Sequence, residues 1–373
     1  MRQSAEFGRF FLPGPTEVRP EVLAAMVRPV IGHRGPDMER LLGGMDKALR
    51  LLFRTTRPVY LSTSSATGFM EAAITNLSRR RILCLVGGAF GGRFHKIAKR
   101  CGRPADTLDV EWGSPHTPEL LRRALEANPG KYDLVTVVHS ETSTGVLNPV
   151  GELSAVARAY EDVLIAVDGV TSVGGAPVEF DEWDLDFLLT GSQKALALPP
   201  GLALAAASPR ALQRADEIEA RSYYFDLLEF ERRAPEFQTT NTPAVNLFYA
   251  LELQLERIMH EGLENRWARH REMAERTWAW VEDLATRTDR EFSVLASEGY
   301  RSPTVTSVVL PERLSGPAIV AGAAARGFTL APGYGKLKAS TIRIGHMGDH
   351  TRAELDDLLA VLDDVIEDGL DAS

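Results

Sequence analysis

Cysteine is scarce: Cys84 and Cys101 are the two in 373 residues. They form no CxxC pair, which excludes a disulfide scaffold and a cysteine-built metal site and points to a reducing compartment. The histidines show no HExxH or comparable spacing, so no metal is expected. No apolar run approaches the ~20 residues of a membrane-spanning helix. Residues 1–20, interrupted by Pro13 and Pro15, hold no apolar core of signal-peptide length. Basic charge is also short. Lys and Arg number 42 against 51 Asp and Glu, a net charge of −9, which suits a general nucleic-acid binder poorly. The expectation is a cytoplasmic protein with neither nucleic-acid nor membrane partners, and with room for a local basic site for a small anion.

What remains is an ordinary globular composition, 44% hydrophobic and 25% charged, in a chain long enough for two or three domains. No internal repeat or low-complexity tract interrupts it. Short apolar segments at 81–86 (RILCLV), 133–138 (DLVTVV), 162–167 (DVLIAV) and 186–190 (DFLLT) read as buried strands. Helix-like segments separate them: 93–100, 118–127 with Thr117 as cap and Pro118 at the first position, and 151–160. Strands alternating with helices predict an α/β fold with a mostly parallel sheet, whose ligands sit beyond the carboxyl ends of the strands. After residue 243 the texture changes to a long helical stretch to 286, strands at 304–310 and 341–344, helices at 316–327 and 351–368, and Gly369 as a stop signal. This predicts three parts: an N-terminal segment, 1–30, packed at a domain junction, a large domain, 31–243, and a smaller α+β domain, 244–373.

Polar residues recur just after these strands. Lys194 lies in a small-residue turn, GSQKAL followed by PPG, after a buried strand. Alone it reads as a solvated surface charge. Asp168 ends another apolar strand, and a buried carboxylate is costly unless it meets a cation. Pyridoxal phosphate offers that cation at its ring nitrogen and an aldehyde for a lysine Schiff base. Ser65, Ala66 and Thr67 precede a helix start and suit a phosphate cradle, although in isolation they are an ordinary serine-rich cap. Phe90, in GGAFGG, offers an aromatic face, although by itself it reads more often as core. The Gly87–Gly92 cluster is not a GxGxxG fingerprint, which disfavours a dinucleotide cofactor.

GSQKAL with PPG, DGVTSVGG, HSETSTGVLNPV, GGAFGGRF and IRIGHMG resemble the class V (fold type I) pyridoxal-phosphate aminotransferases, in particular the alanine–glyoxylate and serine–glyoxylate (serine–pyruvate) group. The motifs keep their order from PGPT at 13–16 to GHMG at 345–348. The resemblance implies that Lys194 forms the Schiff base and moves protons, and that Asp168 keeps the ring nitrogen protonated. Ser65, Ala66, Thr67 and Gln193 would bind the phosphate, Phe90 would stack on the ring, and Thr142 would bond the ring hydroxyl. Arg343 would take the substrate α-carboxylate, for which the guanidinium fork is well shaped. Gly14 and Thr16, with the 333–335 backbone, would close over the substrate. Thr242, read from the chain alone as a helix N-cap, would reach the phosphate of a neighbouring subunit in a homodimer with shared active sites. His33 and Arg34 resemble a loop near the substrate entrance, and Tyr223 and Tyr224 read as core, interface or partner-chain pocket residues, with core or interface preferred. Ala66 stands where the family commonly has glycine, and Phe90 where it often has tryptophan or histidine.

The implied activity is a two-stage transamination from a small amino acid, alanine or serine, to a 2-oxo acid, glyoxylate or pyruvate. Three alternatives stand beside it. One is another donor on the same scaffold: phosphoserine, aspartate or ureidoglycine. The second is desulfurase or lyase chemistry, for which Cys84, inside a strand, and Cys101, after a helix, are poorly placed. The third is a non-enzymatic pyridoxal-phosphate-binding protein, which no appended helix-turn-helix region supports.

Overall fold

The computed structural model describes residues 7–371, so the first six residues of the N-terminal segment lie outside the described residues. The main sheet has seven strands: β1 (Tyr60–Ser62), β2 (Ile82–Val86), β3 (Ala105–Asp109), β4 (Leu134–Val138), β5 (Leu164–Asp168), β6 (Phe187–Gly191) and β7 (Ala203–Ala207). Their order is β1-β7-β6-β5-β4-β2-β3. β2 to β6 pair in parallel, while β7 is antiparallel to β1 and β6. Strands β4 to β7 are buried throughout, as expected of a sheet covered on both faces. Alternate residues feed two cores: Val135, Val137, Ile165, Val167 and Leu188 on one face, Leu134, Leu164, Ala166, Phe187 and Leu189 on the other. The register aligns Val138 with Asp168, so the carboxyl ends of β4 and β5 stop at one edge.

A smaller C-terminal domain follows, built on β8 (Ser293–Val294), β9 (Val305–Val309), β10 (Ala331–Pro332) and β11 (Thr341–Gly345), antiparallel in the order β8-β9-β11-β10. Its core joins Trp280, Leu284, Ile342, Ile344, Leu355 and Leu358. Phe11 packs into this core, whereas Val22 packs into the main one, so the N-terminal segment touches both.

Four local readings change. The helix expected from 93 begins earlier and spans Ala89–Arg100, because its first N–H groups find an acceptor outside the segment, described below. The long helical stretch after 243 is two helices, Val245–Glu261 and Leu263–Thr288, broken at Gly262, whose φ of +82° strains any side-chain-bearing residue. Gly369 is not a stop, since the last helix runs Arg352–Asp371 through it. A Cβ there would stand 3.0 Å from Leu314, so the glycine permits close packing. Thr242 is not the cap of the helix Val245–Glu261. Ala244 is, and its N–H donates to the Thr63 hydroxyl at 2.8 Å.

A buried ionic cluster joins the C-terminal helices to the main sheet. Arg266, 1% exposed, donates to the Asp349 carboxylate at 3.0 Å and to the Ala195 carbonyl at 2.7 Å. Burial opposes the Asp349 charge, but Arg266 and the Gln254 amide outweigh it and hold the carboxyl below its ordinary range. Removing the guanidinium takes from a buried carboxylate its nearest cation and leaves it the Gln254 amide and the more distant Arg19 at 3.6 Å and Arg257 at 4.0 Å. Arg266→Ala is therefore expected to lower unfolding free energy by about 3–5 kcal/mol, read as a shifted urea midpoint. An unchanged midpoint would show that Asp349 does not depend on Arg266.

Candidate active site

At the carboxyl edge of the main sheet, the turns after β2, β4, β5 and β6 and the start of the helix Ala66–Leu77 enclose a cavity of about 270 Å³. Ser65, Ala66, Thr67, Phe90, Thr142, Asp168, Gln193 and Lys194 all line it. These come from separate strand ends, which the parallel topology brings to one edge.

Lys194 lies in the turn after β6. That turn is tied by Ala197 N–H to the Lys194 carbonyl at 2.8 Å and by the Ser192 hydroxyl to the Pro199 carbonyl at 2.7 Å. The N-terminal segment braces it further. Thr16 donates its N–H to the Gln193 carbonyl and its hydroxyl to the Lys194 carbonyl, both at 2.9 Å. Thr16 thus sits against the lysine turn and not in the cavity wall. Gly14 has φ +127°, and a Cβ there would collide with the Lys194 side chain, whose amine donates to the Pro13 carbonyl. Burial, then the nearby Arg343 charge, pushes the Lys194 amine down to about 7.

Asp168, the last residue of β5, is 3% exposed and accepts the Val170 N–H at 2.9 Å. Burial pushes its carboxyl up to about 6. No cationic side chain lies within 4.0 Å of it among the described residues. A protonated ring nitrogen is the partner that this carboxylate lacks, so the donor set fits pyridoxal phosphate.

The Ser65–Thr67 wall of the cavity suits an anion. Ser65 is the N-cap of the helix Ala66–Leu77 and spends no side-chain bond on capping it. The Ala66 methyl is accommodated because residue 191 is glycine; a Cβ there would lie 3.2 Å from it. Arg93, which the sequence reading passed over, lines the same wall and donates to the Thr67 hydroxyl at 3.4 Å. Its spacing from Phe90, three residues along one helix face, was the available signal.

Phe90 is held through Glu141, also passed over. The Glu141 carboxylate accepts the N–H groups of Phe90 at 3.0 Å and Gly91 at 3.1 Å, while Ser143 Oγ accepts that of Ala89 at 3.0 Å. This satisfies the start of the helix Ala89–Arg100, whose own N-cap, Gly88, has no side chain to offer. Thr142 shares a 2.6 Å hydroxyl contact with Thr171, another cavity residue. Arg343, in β11, is 9% exposed and bonds the carbonyls of Pro332 at 3.1 Å and Thr142 at 3.2 Å. No carboxylate pairs with it among the described residues, so a buried guanidinium has a position left for an anionic ligand.

Other candidates lie elsewhere. Thr242 borders a separate small cavity with Thr63 and Tyr224 and does not reach the Lys194 cavity of its own chain. Arg34 holds that segment through the Thr239 carbonyl at 2.6 Å and the Thr240 carbonyl at 3.2 Å. Tyr223 is 96% exposed, which excludes the core reading for a single chain. Neither cysteine lines the Lys194 cavity. Cys84 is buried in β2, its thiol pushed up to about 11 by burial, and Cys101 caps the end of the helix Ala89–Arg100. A desulfurase nucleophile is therefore not in place.

Residues 65–312 match the family Aminotransferase class-V. An uncharacterized aminotransferase of Methanocaldococcus jannaschii is 41% identical over 346 residues, covering 90% of this chain and 87% of that protein. Serine–glyoxylate aminotransferase of Methylorubrum extorquens is 32% identical over 350 residues, covering 91% and 86%. Among solved structures, alanine–glyoxylate aminotransferase from Nostoc sp. superposes with a TM-score of 0.90 at 30% identity, covering 98% of this chain and 97% of that one.

The depressed Lys194 amine has a measurable consequence. Above about pH 7 Lys194 is already neutral, whereas exposed lysines go on losing protons to about pH 10. In cofactor-free protein, the rate of Lys194 carbamoylation by cyanate relative to exposed lysines is expected to stay flat below pH 7 and to fall above it. A ratio that stays flat to pH 9, by peptide mass spectrometry, would contradict the assignment.

Proposed function

The chain belongs to the class-V aminotransferases, and on that premise we propose that it moves the amino group of alanine or serine to glyoxylate or pyruvate. It is a pyridoxal-phosphate-dependent transaminase; the choice of donor and acceptor and the roles below are our reading. The single observation that carries it is that Lys194 and Asp168 line one cavity with the Ser65–Thr67 helix start, which suits a phosphate.

When bound, pyridoxal phosphate supplies an aldehyde carbon that takes up an amine and a protonated ring that withdraws electrons. Lys194 Nζ, partly neutral near pH 7, is the base that takes the proton from the donor's α-carbon. Asp168 holds a proton on the ring nitrogen, and that cation in turn keeps the carboxylate ionised. Phe90 provides a flat face, and Thr142 bonds the ring hydroxyl. Ser65, Ala66, Thr67 and Gln193 hold the phosphate. Arg343 binds the carboxylate common to amino and 2-oxo acids. Gly14 keeps the backbone close over the lysine. In this scheme residues 31–243 form the cofactor domain and 244–373 the smaller one, with 1–30 spanning them.

We further read the protein as a homodimer in which Thr242 reaches the partner's phosphate site. Val27, Val30 and Tyr223, at 85%, 71% and 96% exposure, leave apolar surface for such a contact. Two free cysteines, one of them buried, suit a reducing, cytoplasmic setting.

Lys194→Ala is expected to lower turnover by roughly 10²–10⁴-fold or more and to remove the visible absorbance of lysine-bound cofactor. Normal turnover in that variant would refute the assignment. Donor choice is read from the 2-oxo acid that holoenzyme releases without acceptor. Alanine or serine should outpace aspartate, phosphoserine and ureidoglycine, and the reverse order would overturn the donor proposal.

A further inference from the structure

Arg343 is restrained on three sides. Nε and Nη1 are bound to two backbone carbonyls, and the guanidinium carbon lies 5.4 Å from the centre of the Tyr334 ring. Nη2 has no hydrogen-bond partner among the described residues. The same tyrosine ring stands 5.9 Å from that of Phe90, tilted by 46°. Phe90 in turn has the Arg93 guanidinium 4.6 Å from its centre. A cation, two rings and a second cation therefore follow one another, Arg93 and Phe90 in the cavity wall and Tyr334 and Arg343 beside it.

Tyr334 is 38% exposed, so burial alone does not account for its conformation. Its backbone is set by a tight loop. Gly333 N–H donates to the Thr341 carbonyl at 2.8 Å, and Leu337 N–H donates to the Tyr334 carbonyl at 3.0 Å. A Cβ at Gly333 would collide with the Leu337 carbonyl and the Thr341 hydroxyl, so residue 333 has no room for a side chain. The loop and β11 thus present the ring and the guanidinium to one another from opposite ends of one short connection.

We propose that Tyr334 is a positioning residue for the substrate carboxylate: its ring holds the Arg343 guanidinium in the orientation that leaves Nη2 for an incoming carboxylate. A guanidinium over an aromatic face is favoured electrostatically, and restraining it beforehand removes ordering cost from binding. Donor and acceptor share the α-carboxylate, so both should lose affinity by the same factor when the ring is lost. This rests on the reading of Arg343 as the carboxylate residue.

The test compares Tyr334→Leu, Tyr334→Phe and Arg343→Lys in the holoenzyme. Tyr334→Leu is expected to raise KM for the amino donor and for the 2-oxo acceptor equally, by about 3- to 30-fold, with the effect in KM and not in kcat. The dissociation constant of glycolate, which carries the carboxylate without a reacting amine or carbonyl, should rise by the same factor. Tyr334→Phe, which keeps the ring, should restore both values. A change confined to the donor, or no change in glycolate binding, overturns the proposal. If Arg343→Lys weakens glycolate while Tyr334→Leu does not, the role of Tyr334 alone fails. If Arg343→Lys also leaves glycolate binding intact, the carboxylate reading fails with it.

Discussion

Desolvation acts on Asp168 and Lys194 in opposite senses and toward one result. It pushes the carboxyl up to about 6 and the amine down to about 7, so neither is comfortable as an isolated buried ion. Under the proposed function each would be relieved by a different edge of the same small heteroaromatic ligand, the carboxylate by a ring cation and the amine by an aldehyde carbon. The other cavity residues are arranged around that demand. A helix start offers free N–H groups to an anion, a phenylalanine supplies a plane, and an arginine without a carboxylate partner among the described residues lies against the Thr142 carbonyl.

Holding such groups together requires rigid support, and it comes from both parts of the chain. The parallel strands bring Asp168 and the Lys194 turn to one edge. Thr16, from the N-terminal segment, bonds the lysine turn directly, and Arg266, from a helix after Gly262, bonds the next carbonyl along it. The turn that carries Lys194 is therefore clamped from the N-terminal segment and from a C-terminal helix. Arg343 reaches in from the small sheet to the carbonyl of Thr142, so under the proposed function the carboxylate subsite would span the two units.

Local signals were legible where local physics governs. The apolar runs of β2, β4, β5 and β6 bounded by polar residues, and the Thr117–Pro118 helix start, declare themselves over a few residues, and the Thr117 hydroxyl does accept the Leu120 N–H. Glu141 was not legible in this way, and Arg93 only through its three-residue spacing from Phe90. Their importance lies in which helix start the carboxylate satisfies and which hydroxyl the guanidinium meets, and both partners are distant in sequence. Gly369 misled for a related reason: a glycine near a helix end looks like a stop until the neighbouring Leu314 shows that space, not backbone conformation, selected it.

The chain alone determined the alternation of strands and helices, the mostly parallel sheet, and the reactive residue types placed just after strands, because periodicity and strand-end position are properties of short segments. Tertiary structure alone decided that Asp168, Lys194, Phe90 and the Ser65–Thr67 turn share one cavity, that Thr242 does not join them within its own chain, and that Tyr334 meets both Phe90 and Arg343. Those outcomes depend on distances between segments far apart in sequence, and such distances are set by how the sheet, its covering helices and the small domain pack.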